Sequence, residues 1–212
     1  MSASLRFSDI QARARTAAAA ALTTSPAEAA RAACAEANAF LAETVTALGI
    51  EAKVAALGCR AGCSTCCHQV VGVTSAELDL VMEAIAALPD ATRAAVARRA
   101  QDAAARGKHL SQGEWWQAKL PCPLLAEDGL CLVHASRPLA CRAFNSADAE
   151  ICRRSFDGDA SAGPVPVLAA QHGIYGHAQA GLAQALAAAA PPKGWVLAIG
   201  LAERLGVPQD GA

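Results

Sequence analysis

The chain has 212 residues, with 18 basic against 19 acidic side chains and a formal net charge of -1. This balance gives no reason to expect nucleic acid or an anionic membrane surface as a partner. No run of about 18 apolar residues occurs, so no transmembrane helix is expected. The N-terminus also lacks the pattern of a signal peptide, and we therefore expect a cytoplasmic protein whose thiols stay reduced.

Alanine makes up about a quarter of the chain, whereas aromatic residues make up only 4%. Alanine favours helices but buries little apolar area. The composition therefore predicts a mainly α fold with a thin core, and an internal cross-link through a metal would stabilise such a core.

The predicted elements begin with two alanine-rich helices. The first spans Ser8 to Leu22, and the second follows the cap signal Ser25-Pro26 and ends near Leu48. Along the second helix, helical spacing predicts one buried stripe, which consists of Ala33, Ala37, Phe40, Leu41, Thr44 and Leu48.

The middle of the chain begins with an irregular segment at 58–68, followed by a short strand or extended connection at 70–73. A helix then begins at the capping box Thr74 to Glu77, and a second runs from about Asp90 to Arg106. The adjacent Trp115-Trp116 is predicted to anchor this connection to the core. Four arginines of the second helix are interpreted as a solvated face: Arg93, Arg98, Arg99 and Arg106.

Turn signals dominate residues 121–158, and two more helices are predicted beyond them. One runs from about Val167 to Ala190 and stops at Pro191-Pro192, and the other spans Trp195 to Leu205. We divide the chain into an N-terminal helical extension (1–57), a cysteine-cluster metal-binding domain (58–158) and C-terminal helices on the same core (159–212). The predicted architecture is an irregular cysteine-rich metal-binding core flanked by helices.

Eight of the nine cysteines lie in two windows separated by 54 residues. Soft thiolates bind Zn²⁺ and iron–sulfur clusters, and short gaps let successive thiolates reach one centre at little loop-closure cost. In a reducing compartment this use is favoured over disulfides. The ninth, Cys34, is interpreted as a small core residue. The candidate metal ligands are Cys59, Cys63, Cys66 and Cys67 in the first window, and Cys122, Cys131, Cys141 and Cys152 in the second.

The sequence leaves open how the eight thiols are divided. They could form two four-cysteine sites, or one site plus four structural or redox-active thiols. Neighbouring side chains of an extended segment point in opposite directions, so Cys66 and Cys67 are expected to serve two metals, unless one binds and the other packs. His68 and His134 stay open as nitrogen ligands. Nearby arginines either offset the thiolate charge or lie on the surface: Arg60, Arg137, Arg142, Arg153 and Arg154.

Two segments resemble the halves of a cysteine-cluster family often called YkgJ-like. Residues 58–68 with VGVTSAEL at 71–78 resemble the first half, and PCPLLAEDGLCLVHASRPLACRAF at 121–144 resembles the second. Leu124 departs from the family's aromatic residue, and Val133-His134 departs from its Ile-Tyr pair. The resemblance covers about residues 58–155 and implies a zinc- or iron-chelating domain. Members of the family are commonly labelled iron–sulfur proteins or oxidoreductases. The matching positions of the second half are Cys122, Pro123, Gly129, Cys131, Arg137, Pro138, Cys141 and Arg142.

The leading hypothesis is a protein that holds an iron–sulfur cluster, such as [4Fe–4S], through the two cysteine groups. It would serve redox chemistry or electron transfer with an unidentified redox or protein partner, and whether it is an iron–sulfur oxidoreductase stays open. The alternative is a zinc-stabilised binding module without catalysis, favoured by the balanced charge and the lack of a clear base–nucleophile pair.

Two further hypotheses come from cysteine patterns in other protein classes. A related cysteine pattern in flagellin lysine N-methylases implies a cluster-dependent, methyltransferase-like activity. The spacing Cys59-x3-Cys63-x2-Cys66 also matches radical S-adenosylmethionine enzymes, but the chain lacks the alternating strands of their barrel.

Overall fold

The computed structural model describes residues 6–189 and 193–206. Within this part of the chain, ten α-helices accompany a single two-stranded sheet, so the predicted mainly α fold is confirmed. None of these described helices is long and apolar enough to cross a membrane. The helices are α1 (Phe7–Ala21), α2 (Pro26–Leu48), α3 (Glu51–Ala55), α4 (Ser75–Ala86), α5 (Asp90–Gly107), α6 (Gln112–Gln117), α7 (Leu139–Ala143), α8 (Ala149–Asp157), α9 (Ala169–Ala187) and α10 (Leu197–Leu205), and the strands are β1 (Gly72–Thr74) and β2 (Gly194–Val196).

The first core is formed by α1, α2, α4, α7 and α9, with α1 packed along both α2 and α9. Its buried residues are mainly alanines, which let these helices approach closely. The predicted start of α2 is confirmed, because the Ser25 hydroxyl accepts a hydrogen bond from the Glu28 amide at 3.1 Å. The buried stripe of α2 is confirmed except at Leu48, whose side chain is 62% exposed in the last turn of the helix.

The second core lies between α4, α5 and α10 and extends into the cysteine-rich segment, where Cys122, Cys131 and Cys141 pack against it. Strand β1 closes one side by pairing antiparallel with β2, so that Val73 lies opposite Trp195. The predicted helix from Trp195 to Leu205 is therefore wrong at its start. Trp195 belongs to β2, and the helix begins at Leu197.

Two other predicted boundaries also differ. The connection between the cysteine windows contains three helices instead of two, because Gln112–Gln117 forms a further short helix. Its Trp115 is buried at 3% exposure, as predicted for an anchor. The long C-terminal helix begins at Ala169, since Val167 is half exposed in an extended segment that follows Pro166. The predicted helix stop at Pro191-Pro192 lies outside the described residues.

Candidate metal centre

The first cysteine window is a series of tight turns. The Cys63 amide donates to the Arg60 carbonyl at 3.0 Å, and the Cys67 amide donates to the Ser64 carbonyl at 2.9 Å. Cys66 and Cys67 thus lie in a 3₁₀ turn at Thr65–His68, not in the extended backbone on which their opposite directions were predicted. The neighbouring Cys67 thiol raises the pKa of Cys66, so the two side chains are not directed away from each other.

Backbone hydrogen bonds join the two windows directly. The Cys122 amide donates to the Cys67 carbonyl at 2.8 Å, and the Gly58 amide donates to the Ser146 carbonyl at 2.8 Å. Although 54 residues separate the windows in sequence, both ends of the first window are thus fixed to the second.

Two glycines allow the windows to pack this closely. Gly129 has φ +80°, and a Cβ atom there would lie 2.9 Å from the carbonyl oxygen of Gly62. Gly58 faces the first turn of α8, and a Cβ atom there would lie 2.7 Å from the Ala149 amide nitrogen. Any larger side chain would separate the cysteine segments, so these glycines are required for convergence.

Four thiols, which we call the open group, line a cavity of about 580 Å³: Cys59, Cys63, Cys66 and Cys152. The Cys59 sulfur accepts a hydrogen bond from the Ser146 amide at 3.2 Å. Burial raises the pKa of the Cys59 thiol, and repulsion from the other three thiols of the group adds to the increase. Cys63, Cys66 and Cys152 therefore all lie close enough to Cys59 to affect its ionisation.

A second set, which we call the enclosed group, consists of Cys122, Cys131 and Cys141. Burial raises the pKa of Cys122 to about 12 and that of Cys141 well above its ordinary value, and repulsion between thiols of this group contributes to both increases. The backbone amides of Leu124 and Val133 lower the pKa of Cys122 and Cys131, respectively, which favours thiolates there. Cys66 is also close enough to raise the pKa of Cys122 and Cys141, so it borders both groups.

A buried carboxyl group fixes the helix that carries Cys141. Glu77 is 1% exposed, and its oxygens accept hydrogen bonds from the Thr74 amide at 2.8 Å and the Leu139 amide at 2.8 Å. Gln179 of α9 also donates to it, at 3.0 Å. The sequence predicted only the capping box with Thr74, because the contacts to α7 and α9 join residues far apart in the chain.

The predicted arginines fall into two classes. Arg153 and Arg154 form exposed ion pairs with nearby acidic residues, so the alternative that these two arginines lie on the surface is confirmed. Arg137, in contrast, has a buried Nε with no hydrogen-bond partner among the described residues, and its charge lowers the pKa of Cys66, Cys131 and Cys141. Arg99 was predicted to be solvated, but its Nε is likewise buried, and its charge lowers the pKa of Cys122.

Arg142 and Arg60 stand apart from these two classes. The Arg142 side chain donates to the backbone carbonyl of Arg137 at 2.9 Å and so stabilises the turn before α7. Arg60 is exposed on the first cysteine loop.

Neither histidine considered as a ligand lines the cavity. The His68 ring packs against Phe156 with ring centroids 4.6 Å apart, and its Nδ1 lies 3.2 Å from the Ser64 carbonyl oxygen, to which it donates as N–H. His134 is exposed, and the charge of Arg137 lowers its pKa. A different histidine, His172 of α9, lines the cavity. Cys34 is buried among the alanines of the first core, as predicted.

The thiols come together without closing around a single point. Within residues 6–189 and 193–206, no three His, Cys, Asp or Glu side chains converge tightly enough to enclose one ion. The open group is spread along a cavity wall, and each cysteine can change its χ1 rotamer at low cost. The assignment of the eight cysteines as ligands remains a prediction, for which the convergence of the two windows supplies the structural basis.

Comparison with known proteins gives one finding. A family model, CxxCxxCC, described as "Putative zinc- or iron-chelating domain", matches residues 58–158. No curated protein and no solved structure matches the chain significantly. The matched region contains both cysteine windows and ends with α8, and the N-terminal helices α1 and α2 lie outside it. Residues 58–158 of this chain are therefore similar to the CxxCxxCC family, which is described as a zinc- or iron-chelating domain.

Proposed function

We propose that the protein holds an iron–sulfur cluster through the open group and uses it for redox chemistry or electron transfer. The observation that carries the proposal is the set of four thiols along the wall of one cavity: Cys59, Cys63, Cys66 and Cys152. All-cysteine ligation is the usual way in which proteins hold such clusters.

The residues around the open group suit an anionic cluster. Four thiolates around a [4Fe–4S]²⁺ core leave about two negative charges. The Ser146 amide already donates to the Cys59 sulfur, and Arg137 lies near Cys66. Hydrogen bonds to cluster sulfurs and a nearby positive charge both raise the reduction potential of a cluster, and the protein would adjust the potential in this way.

The volume of the cavity favours a cluster over a single ion in the open group. A Zn²⁺ ion needs four sulfurs at about 2.3 Å from one point, in a closed tetrahedron. The open-group thiols instead border a space of about 580 Å³, which leaves room for several metal atoms and for a further molecule.

A zinc-stabilised module is the second candidate, and the enclosed group supports it. The backbone amides two residues further along the chain lower the pKa of Cys122 and Cys131, and Cys141 is packed into the second core with them. Cys67 is joined to Cys122 through the backbone and is a candidate for a fourth ligand. Closed, buried thiolate sites of this type commonly stabilise a fold.

Metal and sulfide analysis separates the two candidates. The protein is purified without oxygen, and its iron, zinc and acid-labile sulfide are measured against protein concentration. The proposal predicts iron and sulfide in comparable amounts, together with visible absorption that reductant bleaches. Stoichiometric zinc without iron or sulfide would replace the proposal with the zinc module.

A further inference from the structure

The cavity beside the open group extends well beyond the four thiols. Its volume of about 580 Å³ lies in the range of about 300–1,000 Å³ that is typical of small-molecule sites. A metal bound to the thiols at about 2.3 Å would occupy only the end next to them. The remaining space is walled by α6, by the segment between α7 and α8, by α8 itself, and by the extended segment before α9.

The lining of this cavity carries no formal charge apart from the thiols. Among the described residues that line it, none is Asp, Glu, Lys or Arg, and His172 is the single histidine. Such a wall cannot compensate a charged ligand for the water that it loses on entering. Its other polar side chains are neutral amides and hydroxyls, at Thr65, Gln69, Gln112, Asn145, Ser146 and Ser155.

The apolar part of the lining combines two aromatic rings with three valines, and a further aromatic ring packs against one of the two. Trp116 and Phe144 line the cavity with the valines at 70, 165 and 167. The ring of Trp116 meets Phe156 edge-on at 5.3 Å between centroids, and Lys119 covers Phe156 at 4.8 Å. An aromatic face fixed in this way is suited to stack on another ring.

We propose that this cavity binds an uncharged, mainly aromatic small molecule beside the open group, with Trp116 as its stacking surface. The inference rests on the proposed function and deepens it by naming the substrate class of the same site. The neutral amides of Gln69 and Gln112 would orient the ligand through hydrogen bonds.

The test compares two fluorescent probes that differ in one group. N-phenyl-1-naphthylamine is uncharged, and 8-anilinonaphthalene-1-sulfonate is the same ring system with an added sulfonate. The purified full chain is titrated with each probe. We expect saturable 1:1 binding of the uncharged probe with enhanced, blue-shifted emission, and binding of the sulfonate at least about tenfold weaker.

A matched pair of variants locates the bound probe. Gly113 lines the cavity and Gly176 is exposed on α9, and at both positions a Cβ atom would meet nothing within 4 Å. Gly113→Phe is expected to lower affinity for the uncharged probe at least about tenfold, whereas Gly176→Phe should leave it unchanged. Trp116→Ala, checked for folding by circular dichroism, should also weaken binding.

The outcomes separate the cavity from the metal. Equal binding of both probes, or equal affinity in Gly113→Phe and Gly176→Phe, would overturn the inference even if iron and sulfide are present. Site-specific binding of the uncharged probe to protein that contains no iron would support the cavity and contradict the proposed cluster.

Discussion

Removing the buried carboxyl group of Glu77 should destabilise the protein and weaken metal binding together. Its oxygens accept four hydrogen bonds, from the Thr74 amide and hydroxyl, the Leu139 amide and the Gln179 side chain. Glu77→Ala removes the half of the capping box in which Glu77 accepts from the Thr74 amide, a loss of about 1 kcal/mol. It also leaves the buried Leu139 amide without a partner, at about 1–3 kcal/mol.

The expected loss in the free energy of unfolding is therefore about 2–4 kcal/mol, because the Thr74 hydroxyl and the Gln179 amide are only partly buried and can turn to water. Because Leu139 opens the helix that carries Cys141, a shift of that helix also moves a candidate ligand. Glu77→Gln keeps the volume but turns an amide N–H₂ toward two donors, so it should lie between wild type and Glu77→Ala.

The chain offers a matched control for this experiment. Glu114 forms the same capping box with Ser111 at the start of α6, but it is exposed, and among the described residues its carboxylate accepts hydrogen bonds from Ser111 alone. Urea denaturation and metal content are measured for Glu77→Ala and Glu114→Ala in parallel. The control should show only a small loss of stability and full metal content. If the two variants lose similar stability and keep the same metal content, the positioning role of Glu77 is refuted.

Three further predictions follow from the contacts around the two windows. Gly129→Ala should lower metal content and stability because its Cβ would meet Gly62. Gly158→Ala is the control, because Gly158 has a similar φ of +87° but open space around the Cβ, so the change should cost only backbone strain. Elemental analysis and thermal melts compare the two variants, and equal effects would contradict the packing role of Gly129. Arg137→Met should weaken metal retention against a chelator, while Arg153→Met should not, since Arg153 is paired on the surface; the reverse order would contradict the charge role of Arg137. Burial raises the pKa of Cys34 from 9.0 to about 11, so its contribution to stability is complete below pH 9 and is lost as pH rises to 11, by about 3 kcal/mol. Cys34→Ala should remove this part of the alkaline destabilisation in denaturation curves, and an unchanged pH dependence would show that Cys34 does not titrate as a buried thiol.

Local signals in the sequence predicted the helices well. The cap at Ser25 and the capping box from Thr74 to Glu77 are interactions between residues three positions apart, so they can be read directly from the chain. The same is true of the clustering of the cysteines, which predicted the region where the two windows meet.

Long-range contacts could not be predicted from such signals. Strand β2 has three residues and pairs with β1 more than a hundred residues away, so its Trp195 was assigned to a helix. Arg99 was assigned to a solvated face because arginines recur along α5, whereas the fold packs one of them beside Cys122. The cavity beside the open group is built from four separate segments, and no pattern along the chain indicates it.

The most direct test of the metal centre is X-ray absorption spectroscopy of the metal in the anaerobically purified protein. The account predicts a first coordination shell made of sulfur at about 2.3 Å, which is lost stepwise in Cys63→Ser and Cys152→Ser but retained in Cys34→Ser. A shell of nitrogen or oxygen ligands at about 2.0–2.1 Å, unaffected by the cysteine substitutions, would contradict it.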